Sequence, residues 1–201
     1  MRAVAVLGAI VVLLWLTLPM LVSPASVAAT IRDEDRLHAA WLGEAAAHGI
    51  RVRALRWLGR TAYAGDSAAP SAPPRLDPLS VRLAAAADAV SQTPYVQGTR
   101  ALGRFALYRL AALAEWFGLG LPLLLAATID GVLIRTVKLR SFAHASPVLF
   151  GIGLHGTLAV LACMVLALLV PVGLHPLVWG GFLVVFAATV RTAVSNFHRV
   201  R

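Results

Sequence analysis

The sequence predicts an all-α integral membrane protein with four transmembrane helices and a helical periplasmic loop domain. Three observations predict it. Between Leu110 and Val190 lie three long apolar runs, each close to the ~20 helical residues that cross a bilayer core. A short basic knot, Arg135, Lys138 and Arg140, separates the first run from the second, and short loops rich in Lys or Arg stay on the cytoplasmic side. The chain of 201 residues is 59% hydrophobic and only 13% charged, with a mean hydropathy of +0.79, whereas a soluble domain carries roughly a quarter charged residues.

The net charge of +9 rides almost wholly on arginine. In a soluble chain that would suggest nucleic acid; in this one it suggests anchoring at a membrane surface. The lone cysteine, Cys163, lies within an apolar run. An intramolecular disulfide framework and a cysteine metal cluster are therefore excluded.

The elements follow in order. Residues 1–29 hold the first span, because the apolar stretch from Ala3 to Val22 exceeds the roughly 7–15 apolar residues of a signal peptide. Small residues at Ala25, Ser26, Ala28 and Ala29 leave cleavage open as the alternative. Residues 30–107 are polar and alanine-rich and hold most of the acidic side chains; they form the periplasmic region. The mixed-charge cluster Arg32, Asp33, Glu34, Asp35, Arg36, followed by Leu37, Trp41 and Ala45, predicts a helix starting near Asp33. Next, Ile50, Ala54, Trp57 and Leu58 fall on one side of a helix, with Arg53, Arg56 and Arg60 on the other. Such a helix either lies on lipid or packs on a neighbour with a solvated arginine face, the more ordinary outcome. A Pro/Ala linker occupies residues 65–76, too poor in apolar surface to order itself. Asp77-Pro78 and Thr93-Pro94 each read as a helix start. The second of these helices carries Arg100 and Arg104 and runs into the second span, residues 110–134, without a break.

Residues 108–201 are the membrane domain, with the basic cytoplasmic loop at 135–144. The third span, 148–170, opens on Gly151, Gly153, His155, Gly156 and Thr157, small enough to admit a neighbouring helix closely. A tight connector, 171–176, leads to the fourth span, 177–190, which is short unless it takes in 174–192, and to a tail with Arg191, His198, Arg199 and Arg201. Arg135, Lys138, Arg140, Arg199 and Arg201 form the basic cytoplasmic face, so both termini are cytoplasmic.

Ionisable residues at membrane depth are functional hypotheses by default, which singles out Glu115, Asp130 and His155. The more ordinary expectations are an ion pair of Asp130 with Arg135 at the cytoplasmic boundary, Glu115 and Arg109 as boundary residues, and His155 bonded to a backbone carbonyl or Thr157. A proton relay between Asp130 and His155 is the sharper alternative. The chain has no Gly-x-x-x-x-Gly-Lys phosphate loop, no His-Glu-x-x-His pair and no Gly-x-Ser-x-Gly elbow. Those absences point away from an enzyme and toward a protein without cofactor or metal.

The second half, from Leu121-Pro122 through Ile129-Asp130-Gly131-Val132-Leu133-Ile134-Arg135, Lys138-Leu139-Arg140 and Ser141 to Pro147, with the closing Val194-Ser195-Asn196-Phe197-His198-Arg199, resembles integrating conjugative element membrane proteins. These are uncharacterised bacterial inner-membrane proteins of conjugative transfer regions. Asp130, Gly131, Arg135, Arg140 and Ser146 match the family pattern; where relatives tend to carry glutamate before the serine, this chain has Ala145.

The resemblance covers roughly half the chain and implies a setting in conjugative DNA transfer and type IV secretion. The leading expectation is a non-enzymatic inner-membrane component, in contact with lipid, with membrane proteins of the transfer machinery and with a second copy of itself. The alternatives are a small ion or proton transporter using Glu115, Asp130 and His155, or an exclusion or coupling regulator that binds lipid or DNA phosphates through its basic face. No base-reading motif is present, so direct nucleic-acid binding is not expected. Reporter fusions check the topology: alkaline phosphatase is expected to be active after Ala69 and inactive at the C-terminus, and the reverse pattern would invert the scheme.

Overall fold

Short-range signals place most helix ends. The computed structural model describes residues 2–66, 78–141 and 146–197. They form α1 (Arg2–Leu21), α2 (Pro24–Leu42), α3 (Glu44–Asp66), α4 (Pro78–Ser91), α5 (Pro94–Arg140), α6 (Pro147–Leu169) and α7 (Leu177–Ser195), with no strand among the described residues. Four of the seven begin on proline, whose fixed φ suits the first helical position and whose missing N–H would have had no partner there.

α2 begins at Pro24, well ahead of the start expected near Asp33. Ser23 caps it, in extended backbone, with its Oγ accepting from the Ser26 amide at 3.1 Å. The charged cluster therefore sits in mid-helix. Gly43 ends α2 at φ +87°, a left-handed conformation that glycine adopts without a Cβ clash. α3 follows at once and reaches two residues into the expected linker; residues 67–77, including the Asp77 cap, lie outside the described residues.

α5 begins at Pro94, as expected, and continues unbroken through Pro122. Its 47 residues extend ~70 Å at 1.5 Å per residue, about twice the bilayer core. The basic loop expected at 135–144 is largely helix: Arg135, Lys138 and Arg140 ride the last turns of α5. Cations there face the carbonyl end of the helix dipole, which favours continuation. Ser146 then caps α6, its Oγ accepting from the Leu149 amide at 3.3 Å. α7 outruns its expected end at Val190 by five residues. Thr192 and Ser195 bond back to the Ala188 and Thr192 carbonyls at 2.8 and 3.1 Å, so their hydroxyls do not oppose the extension.

α5, α6 and α7 are each long and apolar enough to cross a membrane, and a fourth span results if Gly8–Leu21 and Pro24–Leu42, bent by 108°, count together. The apolar surface is turned outward: Leu119, Ile129, Leu133, Ile152, Val165 and Val184 are all exposed. That distribution is compatible with a lipid-facing exterior and unlike a water-soluble one.

The chain divides into two compact units. The first comprises Met1–Ala111 with Leu168–Gly173. Its core is Val27, Leu102 and Phe105, packed by Leu18, Val22, Ile31 and Ala101, with Ala47 and Ile50 of α3 fully buried. Gly98 lies directly against the Pro19 backbone, where α1 and α5 approach closely. The second unit comprises Ala112–Ala167 with Leu174–Arg201. Here glycines set the helix spacing. A Cβ on Gly153 would lie 2.5 Å from the Ala193 nitrogen, one on Gly156 2.8 Å from the Thr189 side chain, and one on Gly120 2.8 Å from Leu183.

Gly153→Val should force α6 from α7 and lower the thermal unfolding midpoint in detergent, by the ~1–3 kcal/mol typical of overpacking. Gly151→Val is the matched control, since a Cβ there meets nothing within 4 Å. Equal effects of the two would refute the close approach.

Candidate functional site

In the second unit, one turn after another of α5 meets the end of α7. Gly131 admits α7 so closely that a Cβ there would stand 3.0 Å from the Arg191 carbonyl oxygen and 3.1 Å from Val194. Asp130, beside it, accepts a hydrogen bond from Arg191 Nε. Two turns on, Lys138 Nζ donates to Asn196 Oδ1 at 2.9 Å and reaches the Ser195 carbonyl at 3.5 Å. The Arg135 guanidinium stands 5.0 Å from the centroid of Phe197, whose ring meets Phe150 of α6 edge-on at 5.7 Å. Thus Asp130, Gly131 and Arg135 of the sequence pattern, with Lys138, form a clasp with the end of α7.

The partner of Asp130 is Arg191, not the Arg135 expected. On a helix, residues three or four apart face one another, and Arg135 is five positions on. The Asp130–Arg191 pair is about half exposed, 49% for each side chain. His155 is exposed and its Nδ1 contacts the Gly151 carbonyl oxygen at 2.7 Å, the backbone bond expected for it. Thr157 bonds instead to Gly153 O at 2.8 Å and to Thr189 at 3.1 Å. Asp130 and His155 thus each have a local partner, and Glu115 is half-buried. Arg140 is exposed at the end of α5, while Arg199 and Arg201 lie outside the described residues.

The first unit holds a site that sequence patterns alone do not reveal. Arg109, expected at a boundary, and Glu34, expected in a mixed-charge first turn, are a fully buried ion pair with side chains 0% and 1% exposed. The guanidinium grips the carboxylate at two points, Nε to Oε2 at 3.2 Å and Nη2 to Oε1. Its remaining donors reach the Val170 carbonyl at 2.7 Å and the Val172 carbonyl, and its Cζ stands 4.1 Å over the Phe105 ring. Those carbonyls flank Pro171, in a connector with no helical ladder to pair them. The Val170 carbonyl also accepts from the Val172 amide at 2.8 Å, and the buried, fork-shaped cation adds a charged donor to both carbonyls.

His38 and Tyr108 extend the network. Burial holds the His38 imidazole below its ordinary pKa. Its Nδ1 donates to the Glu34 carbonyl oxygen at 2.8 Å, a tautomer assigned from the partner. Tyr108 Oη lies 3.3 Å from the same nitrogen and donates to Asp35 Oδ1 at 3.5 Å, and Asp35 in turn pairs with Arg51 at 2.6 Å. Arg53, expected on a solvated face, donates to the Ala111 carbonyl at 3.2 Å. Among the described residues no group of three or more His, Cys, Asp or Glu could hold a metal ion. Glu34 and Asp35 serve as counter-charges that join α2 to α5 and to α3.

Removing one member of the buried pair leaves the other uncompensated, at a cost of ~3–5 kcal/mol. Glu34→Ala is expected to lower the unfolding midpoint sharply in detergent, and Glu34→Ala with Arg109→Leu to cost clearly less than the two single changes added. Strict additivity in the calorimeter would contradict the pairing.

No curated protein and no solved structure matches the chain. A family model described as IncC plasmid conjugative DNA transfer protein DtrJ-like matches residues 61–198. That stretch contains the whole clasp of Asp130, Gly131, Arg135, Lys138, Arg191 and Asn196. Since it covers well over half of the 201 residues, the chain belongs to the DtrJ-like family and is thereby associated with conjugative DNA transfer.

Proposed function

We propose that the protein is a non-enzymatic, multi-pass component of the bacterial inner membrane that serves the conjugative apparatus, in association with a type IV secretion system. One observation carries this reading. Of the residues that the sequence singles out in the matched segment, Asp130 among the ionisable candidates and Arg135 and Lys138 of the basic face are engaged in joining α5 to the end of α7. That is the work of a scaffold. Its apolar exterior on α5, α6 and α7 suits both lipid and the apolar faces of other membrane proteins.

In the proposed orientation the basic end of α5 and the end of α7 face the cytoplasm, in keeping with the charge rule, and residues 30–107 are periplasmic. The partners are membrane proteins of the transfer machinery. Capture of a tagged copy from gently solubilised donor membranes is expected to recover them in reproducible ratio. Recovery of the protein and lipid alone, under conditions that keep the secretion machinery intact, would contradict the proposal.

A further inference from the structure

Two adjoining cavities in the first unit share Ile31 and Arg104. The larger, about 310 Å³, lies among α2, α3 and α5, with Ile31, Ala54, Leu55, Leu58 and Leu107 as its apolar wall. Arg32, Arg51, Asp35 and Tyr108 complete it. The second, about 300 Å³, continues along the α2–α5 seam past Val27, Ala28 and Ala101 to Arg100. Both are at the small end of the range for ligand pockets.

The charges around them are unequal. Asp35 is neutralised by Arg51 and bonded by Tyr108. Arg32, Arg100 and Arg104 are exposed, and among the described residues none of the three has an ion-pair partner. An apolar wall rimmed by three exposed cations with no counter-ion among the described residues calls for a ligand with an apolar body and an anionic head. Position along α5 narrows the choice. Arg104 precedes Leu110, where the apolar run of α5 begins, by six residues, ~9 Å at 1.5 Å per residue. The headgroup layer of a bilayer is about 5–8 Å deep on each side, so the Arg104 backbone stands just outside it, and an arginine side chain is long enough to carry its head into it.

We propose that the α2–α3–α5 cavity is a binding site for an acidic phospholipid of the membrane in which the protein sits. One acyl chain lies against Ile31, Ala54, Leu55, Leu58 and Leu107, and the phosphate is held by Arg32 and Arg104, with Arg100 beside it. Guanidinium suits this role because its planar donors meet phosphate oxygens in pairs. The proposal rests on the reading that residues 110–134 cross the bilayer. The reporter fusions test that separately, so failure of lipid binding with correct topology counts against the site alone.

The experiment uses the full-length protein in a neutral detergent and native mass spectrometry, titrating phosphatidylglycerol, phosphatidylcholine with the same chains, and glycerol phosphate. Phosphatidylglycerol is expected to bind in one discrete step and at least tenfold more tightly than phosphatidylcholine, and glycerol phosphate not to saturate, since each arginine near an acidic headgroup is worth about fivefold. Arg32→Gln with Arg104→Gln should bring phosphatidylglycerol down to the phosphatidylcholine level, and Ala54→Phe should weaken both lipids by filling the wall. Equal binding of the two lipids by the unaltered protein overturns the proposal without any variant. Glycerol phosphate binding as tightly as the intact lipid also overturns it, as would a folded double-glutamine variant with undiminished selectivity; circular dichroism establishes which variants are folded.

Discussion

The first unit depends on one buried charge pair. Glu34 and Arg109 are 75 positions apart and nearly inaccessible, so each has given up hydration worth several kcal/mol. Only an environment that occupies the donors and lone pairs makes that tolerable. Arg109 occupies four of its five donors with two points on the carboxylate and two carbonyls of the connector, and lies against an aromatic face. A lysine in its place could neutralise Glu34 but could not span carboxylate and connector in one plane. The pair thereby fixes the register of α2 against α5, and everything else in the unit follows from it, including the seam that leaves the two cavities.

The second unit solves a different problem with smaller means. Adjacent residues of α5 act together there. Gly131 removes the side chain that would keep α7 at a distance, and Asp130 then reaches the Arg191 guanidinium. Without the close approach, the short aspartate side chain would have no cation within reach on the next helix. Without the cation, an ionised carboxylate among apolar helices would cost about 2.5–3.5 kcal/mol on insertion scales. An Asp-Gly doublet at this place is therefore one device, a spacing element joined to a polar latch. Lys138 with Asn196, and Arg135 with Phe197, repeat the pattern of an α5 cation engaging the end of α7.

Much of this is legible in the sequence, and the boundary lies where range begins to matter. Hydropathy places α5, α6 and α7, because a long apolar run reports directly on its own surroundings. Pro78 and Pro94 locate helix starts by local chemistry alone. Ser23-Pro24 carries the same signal for α2, but the small residues after it also fit a cleavage site and obscure it. The basic knot resembles a loop because charge between apolar runs looks like a connector, although arginine and lysine are good helix formers. The pairings are beyond reach. Arg191 is 61 positions from Asp130 and Glu34 is 75 from Arg109; nothing in one sequence distinguishes those partners from other charges of the same sign.

The family match sharpens what the two units contribute. Residues 61–198 contain Arg109 and the connector carbonyls of Val170 and Val172, but not Glu34. Within the matched segment, then, the guanidinium already has oxygen acceptors that tie α5 to the connector, yet carbonyl dipoles alone do not balance a full buried charge. The compensating carboxylate comes from α2, in the stretch ahead of the match. The N-terminal stretch is thus bound to the matched segment by necessity of charge as well as by the apolar packing of Val27 on Leu102 and Phe105. A version of this chain that kept Arg109 buried while replacing α2 would have to bring another anion to the same point.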